Sequence, residues 1–303
     1  MELNFRTDIK KWLDKLEPMQ PETSDLCPNL KKEKPVKAVI FDIYGTLLIS
    51  SSGDIDQAVF TEENMKEALI EGGFADENTK TETYSFLLKE LPVKIASNQK
   101  ETAANGHHYP EVDIFKVWNE MLAEAEKKGW IKKTGDESLA DTIIVFEILS
   151  NKVSPMPGMK KVLEALKAKN VPLGIVSNAQ FYTPIIMNYF LTGEFSTRQE
   201  IEFFEPELTA FSFSELRAKP DVELFEKITP ALVQKYGIKP SEAVFVGNDI
   251  LKDVYTAKKA GMQTMLFAGD NRSLRLRETD ERMRGLFPDF IITDLKQILT
   301  IIE

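Results

Sequence analysis

Side chains able to do chemistry together stand at Asp42, Ser177, Lys219 and the acidic pair Asp249 and Asp253. A carboxylate is a competent nucleophile when its electrophile is held in line and the developing charge is neutralised. Phosphoryl transfer has that requirement, because its charge spreads over equatorial oxygens. The Ser177 hydroxyl, backbone amides including that of Asn178, the Lys219 ammonium and a divalent cation would together form the clamp. Asp249 and Asp253 are spaced i, i+4, so a helix beginning there sets both carboxylates on one face, where hard oxygen donors suit Mg2+. Each residue has a plainer reading alone: an Asp before a turn, a capping Ser, a solvated Lys before Pro220, acidic groups favoured by a helix N-terminus. Their convergence on strand ends carries the argument.

The elements that must position them are legible as short apolar runs at 36–41, 173–176, 243–246, 263–267 and 290–292. Each stops at polar or small residues, the pattern of buried parallel strands. Between them, 159–169, 222–236 and 250–260 are amphipathic at helical spacing, with Gly or Asn near their ends. Alternating strand and helix implies an α/β fold with a doubly wound parallel sheet, whose ligands bind beyond the carboxyl ends of its strands. Those ends hold Asp42, Ser177 and Asp249. Residues 56–152 break the pattern with helical periodicity (Ala58, Met65, Leu69; Ile114, Val117, Trp118, Met121; Leu139, Ile143, Phe146, Leu149) and read as a helical cap inserted after the first strand. Such an insert would roof the crevice and exclude water. The expected organisation is therefore an N-terminal helix on a loose arm at 1–35, a core at 36–55 and 153–303, and a cap at 56–152. The Phe-rich stretch 191–216 reads as core and strand edge.

In this order, Asp42-Ile43-Tyr44-Gly45-Thr46, Ile175-Val176-Ser177-Asn178, Ala218-Lys219-Pro220 and Gly247-Asn248-Asp249-Ile250-Leu251-Lys252-Asp253 resemble the four motifs of the haloacid dehalogenase superfamily, over roughly residues 36–302. The resemblance implies a Rossmann-like core with a C1-type helical cap and a nucleophilic Asp42. It implies a metal held by the Asp42 carboxylate, the Tyr44 carbonyl and Asp249, with Asp253 acting directly or through water. Thr46 would support the first loop and, with Ser177, Asn178 and Lys219, belong to the substrate-binding set.

One departure stands out. Phosphatases of the superfamily carry a second Asp two residues after the nucleophile, as acid for the leaving alcohol and base for the water; this sequence has Tyr44 there. A phenol of pKa about 10 can donate a proton but is mostly unable to accept one at neutral pH. The 2-haloacid dehalogenases of the superfamily also carry Tyr, since a halide leaves without a proton and no metal is needed. Against that subclass stands the acidic pair, whose cation would draw electron density from Asp42. The expected function is Mg2+-dependent hydrolysis of a small phosphorylated metabolite through an aspartyl-phosphate at Asp42. Dehalogenation, or a phosphate-binding regulatory protein with little turnover, are the alternatives.

Composition narrows the classes further. The 303 residues suggest roughly two domains. With 38 Lys and Arg against 48 Asp and Glu, the net charge of −10 opposes non-specific attraction to nucleic acid or anionic lipid. Arg272, Arg275, Arg277, Arg282 and Arg284 interleave with Glu278, Asp280 and Glu281, which reads as a salt-bridged helix rather than a nucleic-acid contact. His107 and His108 lack ligand spacing and receive no role. The single cysteine, Cys27, cannot form an internal disulfide, and the Asn271-Arg272-Ser273 sequon reads as chance. A charged N-terminus without a signal-peptide pattern, and no run near ~18 apolar residues, lead to the expectation of a cytoplasmic protein without membrane contact. No Walker or dinucleotide fingerprint occurs.

Overall fold

The computed structural model describes residues 5–31, 33–51, 60–131, 133 and 137–302. The expected boundary at 55–56 and the Ala58 position lie outside the described residues.

The chain forms β1 (Ala38–Phe41), β2 (Leu48–Ser50), β3 (Val153–Pro155), β4 (Leu173–Ser177), β5 (Thr209–Phe211), β6 (Ala243–Gly247), β7 (Gln263–Phe267) and β8 (Phe290–Ile292). Six of them make one parallel sheet in the order β5-β4-β1-β6-β7-β8. Strand order reverses on either side of β1, so the crevice of an open α/β sheet falls at its carboxyl end, beside Asp42. The expected α/β fold with a doubly wound, Rossmann-like sheet is what forms.

Successive strand residues point to opposite faces, and the packing follows that period. Val39 and Phe41, Leu173 and Ile175, and Val244 and Val246 join one core; Ala38, Ile40, Val176, Ala243 and Phe245 join another. Both faces are dry, which explains why these strands read as continuous apolar runs without alternation.

Helices α1 (Lys10–Leu13), α2 (Glu62–Glu71), α3 (Thr81–Ala104), α4 (Ile114–Lys127), α5 (Leu139–Ser150), α6 (Met159–Ala168) and α7 (Tyr182–Thr192) follow in chain order. Four of them, α2 to α5, lie between β2 and β3, which pair antiparallel from Leu48 opposite Pro155 to Ser50 opposite Val153. The helical insert thus departs and returns through one two-stranded ribbon. Side-chain caps start three of its helices: Thr61 accepts from the Asn64 N–H, Asp113 from Lys116 and Ser138 from Asp141. A clasp ties the insert to the core loop that follows β5, with Ala218 N–H donating to the Tyr109 carbonyl at 2.8 Å and Glu111 N–H to the Leu216 carbonyl at 3.1 Å.

Three expectations need correction. The 222–236 helix is broken into Glu223–Glu226 and Thr229–Gln234, where Pro230 supplies no N–H to continue the ladder. The arm before β1 is strapped down rather than loose. Ile9, Trp12 and Leu13 are buried, Arg6 N–H donates to Asp141, Glu22 N–H to Asp270, and Asn29 exchanges two backbone hydrogen bonds with Ile291 on β8. Finally, the arginine-rich stretch 271–284 is not a helix. Its middle is extended, Arg275 bridging in parallel to Asp249, and only Glu281–Met283 makes a helical turn.

Candidate active site

Asp42 ends β1, its N–H donating to the Val246 carbonyl at 2.9 Å. The chain then turns tightly, with Leu47 and Leu48 N–H both returning to the Ile43 carbonyl. Gly45 allows this turn at φ +78°, and a Cβ there would stand 2.6 Å from Asn248 Nδ2 and from Ser273 Cβ. The loops after β1, β6 and β7 therefore close on one another without intervening side-chain volume.

Asp42, Ser177, Lys219 and Asp253 converge in the crevice. Ser177 Oγ donates to Asp42 Oδ1 at 2.9 Å, and Lys219 Nζ donates to the same oxygen at 2.7 Å. Among the described residues no side-chain hydrogen bond reaches Asp42 Oδ2. Lys219 Nζ also donates to Asp253 Oδ1 at 2.6 Å, with both side chains 2% exposed. Asn178 fixes the lysine main chain: Lys219 N–H donates to Asn178 Oδ1 at 2.7 Å, and Asn178 Nδ2 to the Lys219 carbonyl at 3.2 Å. Burial alone would lower the Lys219 pKa, but Asp253 and Asp42 outweigh it and hold the ammonium above the usual lysine value.

Asp249 caps, and Asp253 lies within, a π turn, Ile250–Tyr255, that replaces the expected helix start. Asp253 Oδ2 folds back to accept the Asp249 N–H at 2.9 Å. Gly247 permits that return, since a Cβ at 247 would stand 2.3 Å from the Asp253 carboxyl carbon. Burial, reinforced by repulsion from Asp42 and Asp249, pushes the Asp253 carboxyl up to about 6 despite Lys219. The two acids are brought together as expected, yet they engage different cations. Asp249 caps Leu251 and Lys252 through Oδ1 and receives the Arg277 guanidinium, with Nη2 at 2.5 Å and Nε at 3.1 Å from Oδ2.

Thr46 and Tyr44 sit one layer out. Thr46 is fully buried and donates to Asn248 Oδ1 at 3.3 Å, bracing the loop. The Tyr44 hydroxyl and Thr183 Oγ1 are 2.9 Å apart. Burial, then the charge of Glu147 on α5, raises the phenol well above its ordinary pKa and keeps it protonated. Glu147 and, near the 109–112 clasp, Glu111 are themselves raised by burial. His107 and His108 stand in the insert, and among the described residues no metal-holding cluster includes them.

Three buried carboxylates thus face two cationic side chains, an excess of negative charge among hard oxygen donors that fits a divalent cation. Among the described residues no three His, Cys, Asp or Glu side chains stand at metal-holding spacing, so a cation here would need a backbone carbonyl or other oxygen donors besides these carboxylates.

Reading the sequence missed Arg277. Its signal was the alternation Ser273-Leu274-Arg275-Leu276-Arg277, whose period of two marks an extended segment and not a helix. The pairing expected within the stretch is partly real, as Arg282 meets Asp280, whereas Arg272 reaches Glu22 on the arm.

A model of the haloacid dehalogenase-like hydrolases matches residues 36–261. Among curated proteins, the glyceraldehyde 3-phosphate phosphatase of Pyrococcus furiosus is 29% identical over 149 residues, covering 49% of this chain and 54% of that protein. The pyrophosphatase PpaX of Oceanobacillus iheyensis is 30% identical over 234 residues, covering 77% of this chain and 94% of its own length. The chain therefore spans about half the length of the first relative and nearly all of the second. Among solved structures, a 2-haloacid dehalogenase from Pseudomonas syringae superposes with a TM-score of 0.56 at 20% identity, over 88% of this chain and 97% of that one, a likeness of fold. No helix among the described residues is long and apolar enough to cross a membrane.

Proposed function

The chain belongs to the haloacid dehalogenase-like hydrolase family, and from that premise we propose that it is a Mg2+-dependent phosphatase acting on a small phosphorylated metabolite, with Asp42 as the nucleophile. The observation that carries this reading is the asymmetry at Asp42. Oδ1 is pinned by Ser177 and Lys219, which leaves Oδ2 to meet phosphorus. Relatives named as a glyceraldehyde 3-phosphate phosphatase and a pyrophosphatase support phosphorus chemistry over carbon chemistry.

In this mechanism the Lys219 ammonium offsets negative charge as Asp42 Oδ2 bonds to phosphorus and the alcohol oxygen departs. Ser177 holds the nucleophile's other oxygen, so attack needs no reorientation. Asn178 sets the height of Lys219 through two main-chain hydrogen bonds. Asp42, the Tyr44 carbonyl and Asp249 would hold the cation, which when bound supplies charge stabilisation to the phosphoryl oxygens. The Tyr44 phenol, which burial keeps protonated, cannot take a proton from water, so hydrolysis of the aspartyl-phosphate is the slower half. Helices α2 to α5 serve as the cap, the clasp at Tyr109 and Glu111 drawing them over the site and excluding bulky substrates.

The test is a panel of small phosphate monoesters and p-nitrophenyl phosphate, with and without Mg2+. Asp42→Asn should retain its urea midpoint while losing turnover by ~10³-fold or more. Undiminished activity in that variant would refute the covalent route. Carbon–halogen hydrolysis is the second reading, favoured by Tyr44 and by Arg277 already neutralising Asp249. Metal-independent halide release from L-2-chloropropionate would establish it instead.

A further inference from the structure

We propose that Arg277 is a resident counter-charge that holds Asp249 until a divalent cation displaces it, so that cation binding is coupled to release of the Arg277 guanidinium. The inference rests on Asp249 being a cation ligand, as the proposed function has it. Among the described residues, the side-chain contacts to Asp249 Oδ2 come from Arg277, Nε at 3.1 Å and Nη2 at 2.5 Å, and Nε also lies 3.2 Å from Oδ1. Oδ1 is further engaged by the N–H groups of Leu251 and Lys252. A cation approaching through Oδ2 must take the place of the guanidinium.

The two partners differ in freedom. The Asp249 side chain is 7% exposed and anchored by its capping bonds, whereas Arg277 is 32% exposed and can withdraw into solvent. The segment carrying it is pinned at its start, with Ile250 N–H donating to the Arg275 carbonyl at 2.9 Å and Arg275 N–H to the Asn248 carbonyl at 3.0 Å. Arg277 itself has φ +53°, a left-handed conformation that an L side chain adopts at some strain. A bidentate guanidinium on a nearly buried carboxylate explains why that conformation is kept.

The test is direct Mg2+ binding by calorimetry to the full chain and to Arg277→Gln, with Arg284→Gln as a comparison variant. The expected result is Mg2+ bound about tenfold more tightly by Arg277→Gln and unchanged by Arg284→Gln. A second readout is the melting temperature in chelator, which should fall in Arg277→Gln and be restored by Mg2+. Equal or weaker Mg2+ binding by Arg277→Gln, with the wild type binding normally, overturns the latch while leaving the phosphatase reading intact. No Mg2+ binding by either protein overturns both. Binding by the variant alone supports the latch in its strongest form.

Discussion

Replacing Lys219 by Met probes the centre of the site, because one ammonium serves two buried carboxylates. Its Nζ lies 2.7 Å from Asp42 and 2.6 Å from Asp253, with side-chain exposures of 2%, 10% and 2% in the order Lys219, Asp42, Asp253. At an effective dielectric near 20, each contact is worth about 6 kcal/mol of gross attraction, much of it offset by the desolvation of the three groups. Removing the lysine strands both carboxylates, so Lys219→Met should lose about 3–5 kcal/mol at pH 7.5. The loss should depend on pH in a definite direction. Burial and its acidic neighbours push the Asp253 carboxyl up to about 6 in the folded protein, and without the Lys219 charge it takes up a proton more readily still. Below about pH 6 fewer charges are stranded, and the deficit should shrink by about half. Urea denaturation of both proteins at pH 5.5 and 7.5 measures it. A deficit under about 1 kcal/mol at pH 7.5, or one that is the same at both pH values, would refute the charge arrangement described.

Other outcomes follow from the same geometry. Tyr44→Asp supplies the group able to take a proton from water and should raise kcat for p-nitrophenyl phosphate by ~10²-fold, within the range of general acid–base catalysis; no increase removes the missing base as the limit on turnover. Asp253 has a folded-state pKa above its unfolded value, so its stabilising proton uptake is complete below about pH 4 and is lost as pH rises through about 6. That slope, at most about 3 kcal/mol, should flatten in Asp253→Asn when urea midpoints are followed from pH 4.5 to 7.5. Gly247→Ala places a methyl 2.3 Å from the Asp253 carboxyl carbon. It should destabilise by about 1–3 kcal/mol and reduce turnover together, whereas wild-type stability in that variant would show that the carboxyl has room to move.

The strand ends were legible because parallel strands buried on both faces leave apolar runs that stop where the chain meets the crevice. Asp42, Ser177 and Asp249 could be placed on them without coordinates. Lys219 and Asp253 were singled out as well, yet their mutual contact was not, since nothing local joins residues separated by two short helices and a strand. The π turn was illegible for a similar reason: i, i+4 spacing reads as one helical face, whereas Asp253 folds back onto the Asp249 N–H and Gly247 makes the room. The arm and Arg277 were misread because proline-rich and charged segments look solvated. Their hydrogen bonds go to Asp270, Ile291 and Asp249, partners remote in sequence.

Acid-quenched protein taken during turnover of a phosphate monoester in Mg2+, digested and mapped by mass spectrometry, tests the claim that Asp42 accepts the phosphoryl group. The account predicts a phosphoryl adduct on the peptide bearing Asp42, lost in Asp42→Asn and longer-lived in the wild type than in Tyr44→Asp. Turnover with no adduct on that peptide, or an adduct on another side chain, would contradict it.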